Sequence, residues 1–307
     1  MGGRRFIIGT RGSRLALWQA NWVKARLEEQ YGGGRVDLEI IRTQGDKRTD
    51  VPLAKIGRKG LFTKEIEWAL LDGRVDLAVH SMKDLPTALP KGLKIGAVTA
   101  REDVRDVLIS RDGKALLELP ASAKVGTGSM RRRVQLGHVR RDLVFEDLRG
   151  NLDTRLRKLW EGQFDAIVLA AAGLERMGWA DAITEYISTE RCLPAVGQGA
   201  LGVEIRENDE EVAELVSALE DGDTRWGVMA ERSFLATLGG GCQVPIGAWG
   251  RVEHGEMVLE GVVAEESGEW VVRGKCRGDR SDAERIGVVL AEELLAEGVS
   301  FLSRCSL

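Results

Sequence analysis

The sequence has 307 residues, of which 43% are hydrophobic, so it can bury a large core divided among two or three domains. Its formal net charge of −4 argues against a nucleic-acid-binding protein. The longest apolar runs, such as 166–174, are shorter than the roughly 20 residues that span a bilayer, and the short basic start is unlike a signal peptide. We therefore expect a cytoplasmic protein with neither a membrane nor a nucleic acid as partner.

Short apolar strands alternate with amphipathic helices from Arg5 to about Glu220, a pattern typical of α/β units with a largely parallel sheet. The first helix, from Ser13 to about Gln30, carries its apolar residues on one face, and Ser13 is placed to be its N-cap. The other predicted elements are strands at 6–9, 36–42, 75–79, 95–99, 107–110, 144–147, 166–169 and 201–205, and helices at 61–71, 152–160 and 210–219.

After Asp221 the pattern changes and predicts a separate small α+β domain. It comprises a helix at 226–238, a Gly-Gly-Gly break, strands at 246–252, 257–263 and 270–276, and a long helix from Ser281. The polar turn at 101–106 and the stretch at 194–199 are candidate crossings between two α/β lobes, which would form a hinged cleft. We therefore predict domains at 1–99 with 200–220, at 100–199 and at 221–307.

Three predicted strands lead into a Gly/Ser/Thr turn that carries a cation and precedes a helix. These segments are Gly9 to Ser13, Val125 to Arg132, and Leu148 to Asn151 with Arg155 one turn further on. Open α/β sheets bind ligands at the carboxyl ends of their strands, where backbone N–H groups face anions. Any one segment taken alone is more readily interpreted as a solvated surface. If all three converge, the ligand should carry several carboxylates or phosphates.

The segment His80 to Pro86 also follows an apolar strand. Pro86 restricts the backbone at Leu85, so Asp84 would project from an ordered turn. Asp84 is either a functional acid or a turn-forming residue, and position alone does not decide between them.

Two glycine-containing segments have open interpretations. The polar stretch 46–60 reads either as a mobile basic loop that closes over an anion or as a solubilising loop. Three glycines before Cys242 leave its thiol on an uncrowded turn, although a buried small cysteine is the ordinary reading. The cysteines and histidines lack the spacing of metal ligands or of a disulfide framework, so we predict no metal site; they are Cys192, Cys242, Cys276, Cys305, His80, His138 and His254.

Together these motifs resemble the porphobilinogen deaminases, also called hydroxymethylbilane synthases, which join four porphobilinogens head to tail in tetrapyrrole biosynthesis. The resemblance covers essentially the whole chain. Its most specific segments are Thr10-Arg11-Gly12-Ser13-Arg14-Leu15-Ala16-Leu17-Trp18-Gln19, Ala78-Val79-His80-Ser81-Met82-Lys83-Asp84, Leu148-Arg149-Gly150-Asn151, Leu193-Pro194-Ala195-Val196-Gly197-Gln198-Gly199-Ala200 and Gly240-Gly241-Cys242-Gln243-Val244-Pro245.

The resemblance implies two α/β lobes like those of a periplasmic binding protein, plus a small α+β domain. It implies a dipyrromethane cofactor held by a thioether to Cys242, Asp84 as the catalytic residue, and a lid segment with Lys55, Lys59 and Phe62. It assigns the cofactor and the growing oligopyrrole to Arg11, Ser13, Ser81, Lys83, Thr127, Ser129, Arg131, Arg132, Arg149, Gly150, Arg155, Arg176, Gln198 and Gly199.

The family also implies a monomer whose product passes to uroporphyrinogen-III synthase. Gly128 departs from the family pattern, since many relatives have serine there, and Arg133 has no assigned role. Nearby cations favour the ionised form of a carboxylate, so we expect Asp84 to act mainly as a fixed anion that stabilises cationic pyrroles, with proton transfer secondary. The rival interpretation is a hinged carboxylate-binding protein of periplasmic type without catalysis.

Overall fold

The structure, a computed structural model, describes residues 4–31, 33–47, 62–239 and 245–305. The chain divides into two compact units, Met1–Glu102 with Gly199–Arg225, and Asp103–Gln198 with Trp226–Leu307. Within the described ranges, no helix is both long enough and apolar enough to cross a bilayer. Each unit combines two stretches of chain that are distant in sequence, and the division into three domains stays a prediction.

The strands of the described residues form three sheets. In chain order they are β1 (Phe6–Thr10), β2 (Val36–Ile40), β3 (Leu77–Ser81), β4 (Leu93–Val98), β5 (Asp106–Ser110), β6 (Lys124–Gly126), β7 (Val144–Glu146), β8 (Ala166–Ala170), β9 (Glu185–Ile187), β10 (Leu201–Arg206), β11 (Ile246–Glu253), β12 (Glu256–Ala264) and β13 (Val271–Asp279).

Polar caps begin several helices, as the sequence predicts for the first. Ser13 accepts a hydrogen bond from the backbone N–H of Ala16 (3.3 Å), and Asp209 accepts one from Val212 (3.2 Å). In chain order the helices are α1 (Arg14–Tyr31), α2 (Gln44–Lys47), α3 (Lys64–Leu71), α4 (Met130–Val139), α5 (Leu152–Trp160), α6 (Ala171–Arg176), α7 (Glu210–Ser217), α8 (Gly222–Thr237) and α9 (Ala283–Cys305).

The first unit contains a five-stranded sheet in the order β2-β1-β3-β10-β4. β1 runs parallel to β2 and β3, whereas β10 is antiparallel to β3 and β4. Ile8, Leu77 and Val203 are fully buried in a core with residues of α1 and α7 on one face of the sheet. Ile66 and Leu70 of α3 belong to a second buried cluster, with residues of β3 and β4. Helices therefore cover both faces, as in other α/β sheets.

The second unit repeats this plan in the order β7-β6-β8-β5-β9, with β5 antiparallel to both of its neighbours. It also contains the antiparallel sheet β11-β12-β13. Phe234 of α8 and Leu290 of α9 pack against that sheet at Gly261, where an added Cβ would lie 2.7 Å from the Phe234 ring. The prediction of α/β lobes and a small α+β part is confirmed. The expectation of largely parallel sheets is only partly correct, because β5 and β10 run the other way.

Candidate active site

Asp84 ends a 3₁₀ turn, Met82–Asp84, that directly follows β3. Leu85, the next residue, has an extended backbone (φ −76°, ψ 130°), the conformation that Pro86 favours in the residue before it. Met82 and Leu85 are buried, whereas Asp84 is exposed. As the sequence predicts, the carboxylate projects from an ordered turn, and apolar side chains anchor the turn on either side of it.

The turn of Asp84 packs tightly against β10 and the residue before it. The backbone N–H of Met82 donates to the carbonyl of Ala200 (3.0 Å). A Cβ added to Gly202 of β10 would lie 2.8 Å from both Leu85 and Met82, so only glycine fits there without displacement. The position of Asp84 thus depends on a strand that is more than a hundred residues away in sequence.

The two predicted motifs of the first unit lie at one edge of its sheet. Arg11 and Ser13 follow β1, and Ser81 to Asp84 end or follow β3, its parallel neighbour. The buried side chain of Gln19 on α1 donates to the Ser81 hydroxyl (2.9 Å), which ties the helix after the first motif to the second. Parallel strands present their carboxyl ends together, so this edge combines cations, hydroxyls and one exposed carboxylate.

Two predicted segments of the second unit also share one edge, together with the helix that carries Arg176. Thr127 to Ser129 follow β6, Arg149 to Asn151 follow β7, and α6 follows β8; β6 is parallel to both other strands. The backbone N–H of Thr127 donates to the backbone carbonyl of Glu146 (2.9 Å). A Cβ added to Gly128 would lie 3.0 Å from the carbonyl oxygen of Leu148, so the two loops nearly touch. The segments 125–132 and 148–151 therefore lie together in the second unit, and the convergence of all three segments stays a prediction.

The second edge combines helix starts with arginines. Ser129 caps α4 by accepting from the backbone N–H of Arg132 (3.5 Å). At the start of α5, Arg155 Nε donates to the carbonyl of Gly150 (2.7 Å), and Gly150 has a φ of 109° that favours glycine. Arg149 and Arg155 are half-buried, whereas Arg176, at the end of α6, is buried. This edge is suited to binding carboxylates.

Arg131 and Arg132 are buried and share one carboxylate, that of Asp106 at the start of β5. Arg131 Nη1 and Arg132 Nη2 each lie 2.7 Å from an oxygen of Asp106. Burial opposes ionisation of Asp106, but the two guanidiniums outweigh it and hold the pKa of its carboxyl well below the usual range. Asp106 was not predicted from the sequence, because its only signal there is an acid at the start of an apolar strand.

Arg131, Arg132, Arg133 and Arg140 lie close together in the sequence, but each has an acidic partner. Arg133 pairs with Asp147 (3.0 Å), and Arg140 pairs with Asp142 (2.6 Å) while also donating to two backbone carbonyls. These partners account for Arg133, for which the family pattern gives no role. The number of arginines in this stretch of sequence is therefore larger than the number of positive charges available to a ligand.

Gln198 and Gly199 make contacts that hold the neighbouring backbone in position. The buried amide of Gln198 donates to the carbonyl of Val104 (2.8 Å) and to Asp106 (2.9 Å). Gly199 has a φ of 94°, and an added Cβ would lie 2.5 Å from the carbonyl oxygen of Glu102. Of the other predicted residues, Phe62 contacts Arg11, Lys83 is half-buried beside Asp84, and Cys242, Lys55 and Lys59 lie outside the described residues.

The two five-stranded sheets have the same strand order, and each has hydroxyl groups and arginines at the carboxyl ends of its parallel strands. These features define an α/β protein of the anion-binding class. The family model described as porphobilinogen deaminase, dipyrromethane cofactor binding domain, matches residues 6–214, and the model of the C-terminal domain of the same enzyme matches residues 226–296. The chain belongs to the porphobilinogen deaminase family.

Relatives of nearly equal length support this membership. Porphobilinogen deaminase of Pelotomaculum thermopropionicum is 56% identical over 96% of this chain and 95% of its own length. Porphobilinogen deaminase of Syntrophobacter fumaroxidans is 54% identical over 95% of this chain and 94% of its own length. Among solved structures, the second substrate binding domain of a putative amino acid ABC transporter from Streptococcus pneumoniae is 11% identical, with a TM-score of 0.44 and coverage of 70% of this chain and 92% of that chain.

The second edge also fits the chemistry of the family's cofactor, whose side groups are carboxylates. The Nε of Arg132 is buried and has no hydrogen-bond acceptor among the described residues. The capped start of α4 at Ser129 adds backbone N–H groups that favour an anion. A donor without an acceptor beside a helix start is the arrangement that a ligand carboxylate would complete.

Proposed function

We propose that the chain is a hydroxymethylbilane synthase, a transferase that deaminates four porphobilinogens and joins them head to tail. The observation that carries this proposal is the exposed carboxylate of Asp84 at the same sheet edge as Arg11 and Ser13. A carboxylate-binding protein without catalysis would need the cations but not this acid. The near-full-length relatives, all named as the enzyme, also favour catalysis.

The residues of the two edges have distinct proposed roles. Arg11, Ser13 and Lys83 in the first unit bind the acetate and propionate groups of the pyrroles. Thr127, Ser129, Arg131, Arg132, Arg149, Gly150, Arg155 and Arg176 do so in the second unit. Ser81 positions the turn of Asp84, and Gln198 and Gly199 shape the chain between the units. Charge-assisted hydrogen bonds from arginine suit these groups because a carboxylate accepts them in pairs.

A dipyrromethane bound through Cys242 would supply a nucleophilic pyrrole carbon as the primer for chain growth. The chain's own contribution at the reacting centre is the Asp84 carboxylate. Loss of ammonia from porphobilinogen leaves a cation, which a fixed carboxylate stabilises while it accepts hydrogen bonds from pyrrole N–H groups. Asp84 therefore acts first by charge, and any proton transfer by it is secondary.

The test combines intact mass with turnover. Purified protein should exceed its sequence mass by two pyrrole units, and Cys242→Ser should abolish the excess. Asp84→Asn should reduce the rate of porphobilinogen consumption by at least about a hundredfold, whereas Asp84→Glu should retain part of it. An Asp84→Asn variant with near-normal turnover, or wild-type protein without added mass, would contradict the proposal.

We also propose a cytoplasmic monomer whose product is passed to uroporphyrinogen-III synthase. The family resemblance supports this, and sedimentation of the purified protein together with a coupled assay tests it. Sedimentation as a dimer, or a product that the synthase does not convert, would contradict it.

A further inference from the structure

The Asp106 carboxylate is completely buried and has four donor side chains around it, which come from three places in the chain. Besides Arg131 and Arg132, Gln198 Nε2 donates to one of its oxygens (2.9 Å), and the Cys192 thiol lies 3.4 Å from the other. Arg131 also donates to the carbonyl of Leu193 (2.6 Å). Because the contacts reach both oxygens, the carboxylate holds both guanidiniums in one orientation.

The charges within this cluster do not cancel. Two guanidiniums face a single carboxylate, and the Cys192 thiol stays neutral because burial, and then Asp106, raise its pKa to about 12. A buried excess cation is costly unless an anion approaches it. The Nε of Arg132, which has no acceptor in the part of the chain that the structure describes, is a donor that such an anion could use.

We propose that Asp106 is a positioning residue, which orients Arg131 and Arg132 and leaves them with one net positive charge for a carboxylate of the ligand. This inference rests on the proposed function, because it takes the ligand to be a pyrrole carboxylate. Asp106 need not touch the ligand. It acts through the two arginines, whose side chains lie between it and the start of α4.

The second unit offers a matched control in Glu231 on α8. This carboxylate is also completely buried, and it accepts hydrogen bonds from the backbone N–H groups of Gly197 (2.6 Å) and Gly250 (2.7 Å). Glu231→Gln should therefore lower the thermal stability, as loss of any buried charge-assisted hydrogen bond does, without altering ligand affinity.

The experiment compares wild-type protein with Asp106→Asn, Asp106→Glu and Glu231→Gln. For each protein we would measure the melting temperature and the fraction that carries the added pyrrole mass. KM and kcat for porphobilinogen are then measured well below that melting temperature. We expect Asp106→Asn to raise KM about tenfold and to reduce the mass-bearing fraction, because the two arginines lose the charge-assisted hydrogen bonds that orient them toward the ligand. Glu231→Gln should change only the melting temperature.

Asp106→Glu keeps the charge but displaces it by one methylene, so it should fold, restore the mass-bearing fraction and raise KM about threefold. If Asp106→Asn does not fold, the KM of Asp106→Glu tests the inference instead. A wild-type KM in Asp106→Glu, or a KM in Asp106→Asn equal to that of Glu231→Gln, would overturn the inference. If wild-type protein itself shows neither added mass nor turnover, the proposed function has failed instead.

Discussion

The guanidinium of Arg11 lies over the ring of Phe62, with 4.2 Å between Cζ and the ring centroid. The sequence assigns the two residues to different motifs, Arg11 to an anion-binding turn and Phe62 to the end of a lid segment. A cation over an aromatic face contributes about 0.5–2 kcal/mol, depending on how far water is excluded. Phe62 therefore helps to hold a proposed ligand-binding arginine.

Replacing this ring should weaken substrate binding. Phe62→Leu removes the aromatic face but keeps an apolar side chain, so we expect KM for porphobilinogen to rise about three- to fivefold with little change in melting temperature. Phe62→Tyr should behave like wild type. Trp68→Leu is the control, because Trp68 is an exposed ring with a lysine over it (4.9 Å) on α3. An unchanged KM in Phe62→Leu would show that the contact is incidental.

Gly202 should tolerate no side chain. A Cβ there meets Met82 and Leu85 at 2.8 Å, and overpacking of this kind costs about 1–3 kcal/mol. We expect Gly202→Ala to lower the melting temperature and, because the displaced residues flank Asp84, also to lower kcat. Gly222→Ala, where nothing lies within 4 Å of the added Cβ, should change neither the melting temperature nor kcat. Calorimetry and steady-state kinetics would reveal whether the two effects occur together.

Glu67 on α3 should make stability depend on pH. Burial, and to a lesser degree Glu204, raise its pKa above the ordinary value of 4.5, although Thr63, His80 and Lys64 act in the opposite direction. The folded state then binds a proton that the unfolded state has released, so this group's contribution to stability declines as pH rises from 4.5 through the raised pKa.

Glu67→Gln should therefore be more stable than wild type at neutral pH, and the difference should shrink below pH 4.5. Urea unfolding at a series of pH values measures it. Glu214→Gln, an exposed change on α7, is the control and should follow the wild-type curve. A constant difference between Glu67→Gln and wild type at all pH values would contradict the argument.

Cys192 should be chemically inert in the folded protein. With a pKa of about 12 and no exposed surface, its thiolate population at pH 8 is on the order of 10⁻⁴. Burial and then Glu293 also raise the pKa of Cys276, but that side chain is partly exposed. We expect iodoacetamide to label Cys192 at least about a hundredfold more slowly than Cys276. Peptide mass spectrometry measures both rates, and labelling in urea should equalise them.

The sequence by itself determined most elements and the positions of the motifs along them. Apolar alternation and caps are local, so β1, β3 and α1 were predicted within one or two residues. Pro86 and Leu85 are adjacent, which made the turn of Asp84 predictable. The strands β6 and β9, of three residues each, are too short for periodicity and were not among the predicted strands. The short helix α6 was also missed, and α4 was predicted only as a helix start after the turn at 125–132.

Only the tertiary structure decided which side chains meet. Asp106 is 25 residues from Arg131 and 92 from Gln198, and no local pattern links them. The reversed directions of β5 and β10 likewise arise from pairing between distant segments. A charge in the sequence becomes a binding group or a buried partner according to what packs against it. For that reason the arginines could be named from the sequence, but the carboxylate that orients two of them could not.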